Sequence, residues 1–263
     1  MPDFYADDIL KSEDVYCVSP FMDKFLVPVL NRFGICKSME SYGYRKDEKG
    51  WPLLEDCQSR PFADYYVSQE AFSLFRALYD NKSGLQGKFL MYWDQLAKKF
   101  ASNKYVIGFD PINEPDWAFD SISSLVGVIF DGTFAMKSLA PMYTGIFEKL
   151  QAADTKASLW FEPAQADIFR PSRFEKPPGG EIGSQKHVLN DHTYCSFNPA
   201  MEYPCKLFHY AHLGMRKLDA DKLQIPLFIT EFGSCDNSEG CVTEITTVLD
   251  VIDSHMISGW AYW

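Results

Sequence analysis

The sequence predicts an α/β fold, a (β/α)₈ barrel that is truncated at its N-terminus and retains strands four to eight. From about residue 100, short apolar runs alternate with longer segments of helical period. These runs begin at residues 105, 158, 187, 226 and 257, and a barrel of about 250 residues needs roughly 30 residues per βα unit. Polar residues gather at the C-terminal ends of the runs, which share one face in a parallel barrel.

Five strands and three helices follow from this pattern. The predicted strands are "YVIGFDP" (105–111), "SLWFEP" (158–163), "HVLNDHTY" (187–194), "PLFITEFG" (226–233) and "ISGWAYW" (257–263). The predicted helices between them cover 136–154, 207–221 and 242–255. Pro141 fits the first helix only if it lies in the opening turn. A doubly wound sheet is the alternative, but its glycine-rich phosphate loop is missing from the sequence.

The first 104 residues do not continue the βα pattern. Prolines and the loop-like segment 41–61 precede two helical stretches at 68–80 and 84–102. Three further βα units do not fit there, and five strands do not close an eight-stranded barrel. We therefore expect one partial-barrel domain over 1–263, from a truncated product or an incomplete gene model. We also expect these 263 residues alone to be poorly stable and weakly active or inactive.

Composition narrows the class of partner. The chain is 46% hydrophobic and 16% aromatic, enough for a large core, and it carries a net charge of -11. The negative charge disfavours nucleic acid and anionic membrane surfaces. No apolar run approaches the roughly 18 residues of a membrane span, and no signal peptide is visible at the N-terminus. An uncharged substrate is favoured.

Seven cysteines leave the compartment open. Their odd number prevents complete pairing within the chain, although Cys235 and Cys241 are placed to close a small loop. The sequon "NKS" at 81–83 is a second hint of secretion. Zinc is disfavoured because neither a CxxC nor an HxxxH pair occurs. We predict no metal and no cofactor.

Glu114 is the first candidate for chemistry. The apolar run "VIGFDPINEP" ends on Asn113, Glu114 and Pro115. A carboxylic acid at the mouth of an apolar strand is a candidate for a raised pKa and for general acid catalysis. Pro115 favours an extended backbone at Glu114. The alternative is a loop acid paired with a basic residue.

Glu231 closes the apolar run "PLFITEFG" in the same way, three βα units further along. Two carboxylates on one rim are the minimum for cleavage of a glycosidic bond. A separation of about 5 Å would indicate that configuration is retained: one carboxylate attacks the anomeric carbon, and the other protonates the leaving oxygen and then activates water.

The ordered set "INEP", "HTY", "ITEFGS" and "WAYW" resembles the retaining β-glycosidases of glycoside hydrolase family 5, on strands four, six, seven and eight. Within that family "MPDFYAD", "RPFADYYVSQEAF", "LYDNKSGLQGKFLMYW" and "GFDPINEP" are most similar to endoglycoceramidases, and the resemblance spans nearly the whole chain. Endoglycoceramidases release an intact oligosaccharide from ceramide. The resemblance implies the same (β/α)₈ fold and a glycosphingolipid substrate.

The resemblance also implies a role for each matching residue. Glu114 would be the acid/base and Glu231 the nucleophile. Asn113 would bond the sugar 2-hydroxyl, Tyr194 would donate to Glu231, and His192 would order the same cluster. The further substrate-binding candidates are tryptophans, of which Trp263 would form the sugar platform and Trp117 would line an apolar groove for ceramide, together with Phe119 and segment 21–30.

Each of these residues has a purely structural alternative. His192 is also compatible with a hydrogen-bonded core histidine, Tyr194 with a buried ring, and Trp263 with barrel packing, where Trp260 competes for the platform role. Glu162 in "WFEP" is a third strand-end acid, interpreted as substrate-binding or structural.

The sequence departs from the family in two respects. The arginine after its second strand, and the histidine and nearby acid after its third, have no counterpart here, and its C-terminal β-sandwich is absent. The favoured function is a retaining endo-β-glycosidase acting on glycosphingolipids, reaching lipid surfaces only through its substrate, in a secreted or lysosomal setting. The alternatives are a glucosylceramidase or β-glucanase of the same family, and a noncatalytic glycolipid-binding or inactive remnant.

Overall fold

The computed structural model describes residues 17, 27–61, 63–116, 135–165, 167, 170–195, 202–233 and 239–263. The chain forms two compact units, one of residues 1–87 and 116–131, the other of residues 88–115 and 132–263. Trp117, Phe119 and most of segment 21–30 lie outside the described residues, so the predicted ceramide groove stays a prediction. None of the helices in the described part of the chain is both long and apolar enough to cross a bilayer.

The first unit is helical where it is described. Its helices are α1 (Leu54–Gln58), α2 (Ala63–Tyr66) and α3 (Gln69–Tyr79), and short 3₁₀ turns cover Asn31–Phe33, Met39–Tyr42 and Lys82–Gly84. Ser68 begins α3 because its side chain accepts a hydrogen bond from Ala71 N at 3.2 Å. Phe72 packs from α3 against the disulfide between Cys17 and Cys36, and together they form a small buried core.

The second unit contains a sheet of five parallel strands. The strands are β1 (Gly108–Phe109), β2 (Ser158–Phe161), β3 (His187–His192), β4 (Leu227–Glu231) and β5 (Gly259–Trp260). They lie side by side in chain order, β1-β2-β3-β4-β5, with pairs such as Phe161 with Leu189 and Leu189 with Leu227 in register. All five predicted strands are confirmed. β1 and β5 are shorter than predicted, and each has only one partner strand among the described residues.

As the sequence predicted, one helix precedes β1 and others connect β1 to β2, β3 to β4 and β4 to β5. They are α4 (Leu85–Phe100), which crosses the boundary between the units, α5 (Ala140–Ala152), α6 (Glu202–Leu223) and α7 (Glu239–Ser254), and one π turn (Ala135–Leu139) precedes α5. Pro141 lies in the first turn of α5, as predicted. Met142, Ile146 and Leu150 are fully buried along one face of α5. The aromatic rings of Tyr143 and Phe161 lie 5.9 Å apart and pack α5 against β2.

The cysteines are mostly paired. Besides the disulfide of the first unit, Cys195 is bonded to Cys205, and Cys241 is disulfide-bonded as well. Cys57 is free, as the odd number of cysteines requires. Cys235, the predicted partner of Cys241, lies outside the described residues. Structural disulfides are typical of proteins that mature in oxidising compartments.

Candidate active site

Polar side chains stand at the carboxyl ends of the first four strands. Glu114 lies in the loop after β1, Glu162 follows β2 directly, and His192 and Glu231 are the last residues of β3 and β4. Since the strands are parallel, these ends share one edge of the sheet. The side chain of His192 lies close to all three acids. We name this set of three acids and one histidine the carboxylate cluster.

Glu114 is held through both its main chain and its side chain. Its backbone lies in the left-handed region at φ 46°, and its N–H donates to Glu162 Oε2 over 3.0 Å. Gln165 Nε2 donates to Glu114 Oε1 over 3.3 Å. The extended backbone predicted from Pro115 is therefore wrong, because a tertiary hydrogen bond to the next strand end overrides the local preference.

His192 lies between the two predicted catalytic acids. Its Nδ1 is hydrogen-bonded to Glu114 Oε1 at 2.9 Å and stands 3.4 Å from Glu231 Oε2. Burial by itself lowers the pKa of His192, but the hydrogen bond to Glu114 and the charge of Glu231 outweigh burial, and the net shift is upward. This shift favours the protonated imidazole, which lies between the two acids.

Glu231 and Glu114 approach each other closely. One carboxylate oxygen of each, together with a ring nitrogen of His192, lie within 4.8 Å of one another. The Tyr194 hydroxyl donates to Glu231 Oε2 over 3.1 Å. Burial, followed by the charge of Glu231, raises the pKa of Tyr194, so the hydroxyl remains a donor.

Glu162 is the most deeply buried acid of the cluster, with 1% of its surface exposed. Its Oε1 accepts from Asn190 Nδ2 over 3.4 Å and lies 3.7 Å from His192 Nε2. The same amide of Asn190 donates to Asp110 Oδ2 over 2.8 Å. Burial, followed by the charges of Asp110 and Asp191, raises the pKa of Glu162 well above the ordinary range.

A buried charged network supports His192 from behind. Asp191 Oδ1 accepts from the His192 N–H over 2.8 Å, and Asp191 Oδ2 lies 3.0 Å from Arg216 Nε and 3.3 Å from His212 Nε2. Arg216, which is fully buried, also bonds Asp219 over 2.9 Å. Burial opposes ionisation of Asp191, but His212 and Arg216 outweigh burial and lower its pKa.

A second set of contacts fixes the chain that follows β3. His209 on α6 hydrogen-bonds Thr193 Oγ1 at 2.7 Å and Glu244 Oε1 at 2.9 Å. Glu244 Oε1 also accepts from the Cys195 N–H over 3.3 Å. The disulfide from Cys195 to Cys205 ties the same segment to α6. Tyr194 is thus flanked by two anchored residues.

The remaining predicted site residues lie apart from these contacts. Asn113 is exposed next to Glu114. Trp263 is 69% exposed, and its N–H donates to Phe232 O over 2.9 Å, which brings the end of the chain beside β4. Trp260 packs edge-on against Phe232. Trp117 lies outside the described residues.

Sequence reasoning missed the residues that support the cluster. The runs interpreted as apolar strands contain three polar residues, Asp110, Asn190 and Asp191. Their presence inside apolar runs was the one sequence feature that indicated a buried polar network. Arg216 gave no signal, because a charged residue on a helical pattern is ordinarily solvent-exposed.

Among the residues that the structure describes, two groups of side chains have the geometry to hold a metal ion. Glu114, His192 and Glu231 each offer one ligand atom, as do Cys195, Cys205 and Glu244. The second group has no free thiolate because its cysteines form a disulfide. The spacing of histidines and cysteines in the sequence did not indicate the first group.

A parallel sheet with helices and a pair of acids at its carboxyl edge is typical of glycoside hydrolases. Residues 57–263 match the model of the cellulase family, glycosyl hydrolase family 5, and the chain belongs to this family. The chain is 29% identical over 219 residues to an endoglycoceramidase of Cyanea nozakii, covering 82% of this chain and 41% of that one. It is 28% identical over 213 residues to an endoglycoceramidase of Hydra vulgaris, covering 81% and 39%. The chain thus spans about two fifths of the length of the curated relatives it matches.

Solved structures agree on the fold. Endo-glycoceramidase II from Rhodococcus sp., as its lactosyl-enzyme intermediate, superposes with a TM-score of 0.63 at 20% identity, covering 78% of this chain and 46% of that one. The ganglioside GM3 complex of the same enzyme gives a TM-score of 0.60 at 18% identity, with coverage of 78% and 46%. The predicted (β/α)₈ barrel and the resemblance to endoglycoceramidases in family 5 are confirmed.

Proposed function

We propose that this chain is a retaining endo-β-glycosidase that hydrolyses the bond between oligosaccharide and ceramide in glycosphingolipids. The observation that carries the proposal is the approach of Glu114 and Glu231, whose nearest oxygens lie within 4.8 Å. Retaining glycosidases hold their two carboxyl groups about 5–5.5 Å apart, whereas inverting enzymes need about 6.5–9.5 Å to admit a water.

In this mechanism Glu231 attacks the anomeric carbon while Glu114 donates a proton to the leaving ceramide oxygen. A covalent glycosyl-enzyme forms and free ceramide departs. Glu114, now ionised, takes a proton from water, and the resulting attack releases the oligosaccharide and regenerates Glu231. The lactosyl-enzyme intermediate of the Rhodococcus enzyme supports a covalent step of this kind.

The neighbouring residues have supporting roles in the proposal. The Tyr194 hydroxyl aims Glu231, since it donates a hydrogen bond to the attacking carboxylate. His192 keeps the two acids at a fixed separation through its contacts with both. Asn113 bonds the sugar 2-hydroxyl, and Trp263 provides the sugar platform. Both remain roles implied by the family resemblance.

The lipid half of the substrate is inferred from the relatives. Two endoglycoceramidases at 28–29% identity and a ganglioside GM3 complex of a structural neighbour support a glycosphingolipid. Trp117 would contact ceramide just after the acid/base, so that the enzyme meets lipid surfaces through its substrate. The disulfides support a secreted or lysosomal setting.

The test compares two lipid substrates and the variants of two glutamate residues. The 263-residue chain and the full product of the transcript that encodes it are incubated with ganglioside GM3 and with glucosylceramide, and the products are separated by chromatography. We expect free oligosaccharide and ceramide from the ganglioside, abolished by Glu231→Gln. A matched control is Glu148→Gln, since Glu148 is exposed on α5.

Other outcomes select the alternatives. Cleavage of glucosylceramide alone, or of a β-glucan alone, would replace the endo-acting assignment by a glucosylceramidase or a β-glucanase. Binding of ganglioside without hydrolysis by either protein would indicate a noncatalytic glycolipid-binding chain and overturn the proposal.

A further inference from the structure

We infer that Glu162 is a positioning residue, whose carboxyl group accepts the N–H of Glu114, fixes the main chain there and thereby aims the proton donor. The inference rests on the function proposed above, because it assigns a further residue to the same site. The sequence offered Glu162 only as a third strand-end acid with a substrate-binding or structural role.

The first argument is the direct contact between the two residues. Glu162 Oε2 accepts the N–H of Glu114 over 3.0 Å. The carboxyl group is itself held in place, since Asn190 donates to its other oxygen over 3.4 Å. The N–H of Glu162 donates to the Tyr143 hydroxyl over 3.2 Å, which ties the residue to α5. Glu162 is therefore held in place by contacts with β3 and α5, and it in turn holds the loop after β1 through the Glu114 N–H.

The second argument is the conformation that this contact supports. Glu114 has φ 46°, and residues other than glycine keep a left-handed backbone only where the surrounding structure imposes it. Gln165 and His192 hold the side chain of Glu114, while Glu162 holds its amide. A change of tens of degrees at this φ would swing the carboxyl group away from the leaving oxygen.

The third argument is that the two oxygens of Glu162 have separate partners. Oε2 accepts from the Glu114 N–H, whereas Oε1 accepts from Asn190 and lies 3.7 Å from His192 Nε2. The carboxyl group is therefore held at both oxygens, and Oε2 remains directed at the main chain of Glu114.

Two variants separate the length of the side chain from its charge. Glu162→Gln keeps the length and is neutral, so its amide oxygen still reaches the N–H of Glu114. Glu162→Asp keeps the carboxyl group but is one methylene too short to reach it. We expect activity within about threefold of the parent in Glu162→Gln and a loss of about 10- to 100-fold in Glu162→Asp.

Two substrates separate positioning from general damage. Ganglioside GM3 needs a proton on its leaving oxygen, whereas the dinitrophenolate of 2,4-dinitrophenyl β-lactoside leaves without one. In Glu162→Asp we expect kcat/KM to fall on the ganglioside only, because kcat/KM reports the first chemical step. An equal loss on both substrates would overturn the inference in favour of a structural role. Loss in Glu162→Gln, or full activity in Glu162→Asp, would overturn it as well.

A measurement without substrate keeps this test separate from the proposed function. If the parent cleaves neither compound, the proposed function fails, and amide hydrogen exchange of the ¹⁵N-labelled protein still tests the contact between Glu162 and the Glu114 N–H. We expect the Glu114 amide to exchange as slowly in Glu162→Gln as in the parent, and about tenfold faster in Glu162→Asp. Equal exchange rates in the parent and in Glu162→Asp would overturn the inference. Glu148→Gln is the control for unrelated spectral changes.

Discussion

The Tyr194 hydroxyl donates a 3.1 Å hydrogen bond to Glu231 Oε2 and links the segment after β3 to the end of β4. The two residues are 37 positions apart in the chain, and the link depends on β3 and β4 being neighbours in the sheet. Glu231 is thereby held by one neutral donor and approached by one imidazole, His192. This arrangement suits a carboxylate that must stay ionised and point in one direction.

Removing the Tyr194 hydroxyl should slow the reaction without unfolding the protein. A hydrogen bond to a charged group contributes about 1.5–3 kcal/mol, so Tyr194→Phe should lower kcat by about 10- to 100-fold. Steady-state kinetics on ganglioside GM3 measure the effect. Tyr105→Phe is the control, because Tyr105 is 81% exposed, and equal activity of both variants would contradict the role of Tyr194.

Loss of the disulfide between Cys195 and Cys205 should loosen the segment that carries Tyr194. Cys205→Ser should lower the free energy of unfolding by about 2–4 kcal/mol and reduce activity in parallel, since Cys195 directly follows Tyr194. Chemical denaturation and hydrolysis assays measure the two effects. Cys57→Ser changes a free cysteine and should leave both unchanged. A Cys205→Ser protein as stable and active as the parent would refute the prediction.

Arg216 should be needed for folding rather than for chemistry. Arg216→Met removes the buried guanidinium that pairs with Asp191 and Asp219, and breaking a buried pair from one side costs about 3–5 kcal/mol. Urea denaturation measures the change. The adjacent control is Lys217→Met, because the Lys217–Asp221 pair is more exposed and should contribute less than about 1 kcal/mol. Comparable losses in the two variants would argue against a special role for the buried network.

Stability should fall as the pH rises above about 6.5, and His192 should be one cause. The folded-state pKa of His192 is raised above its ordinary value of 6.5, so its contribution is complete below that value and is lost as pH rises through the folded pKa. The raised pKa of Glu162 acts in the same direction from the ordinary glutamate value upward. Free energies of unfolding at pH 5.5, 7 and 8.5 should decline less steeply in His192→Gln than in the parent. Identical slopes would exclude His192 as the cause.

Local sequence patterns determined most of the second unit. Strands at 158–163 and 226–233 were predictable because apolar, β-rich runs between helical periods depend only on residues close in the chain. The family motifs likewise identified Glu114 and Glu231 as a pair. The predicted lengths of β1 and β5 were too great. Each strand has one partner strand among the described residues, and its ladder of hydrogen bonds is shorter than its run of apolar residues.

The sequence by itself determined the order of strands and helices and the family, and it predicted the two catalytic acids. Only the tertiary structure decided how Glu114 is held, since a carboxyl group 48 residues away imposes a left-handed backbone where Pro115 predicted an extended one. It also decided that Arg216 is buried against Asp191. The physical reason is that periodicity records which face of an element is apolar, whereas hydrogen bonds between distant strand ends depend on the register and packing of the whole sheet.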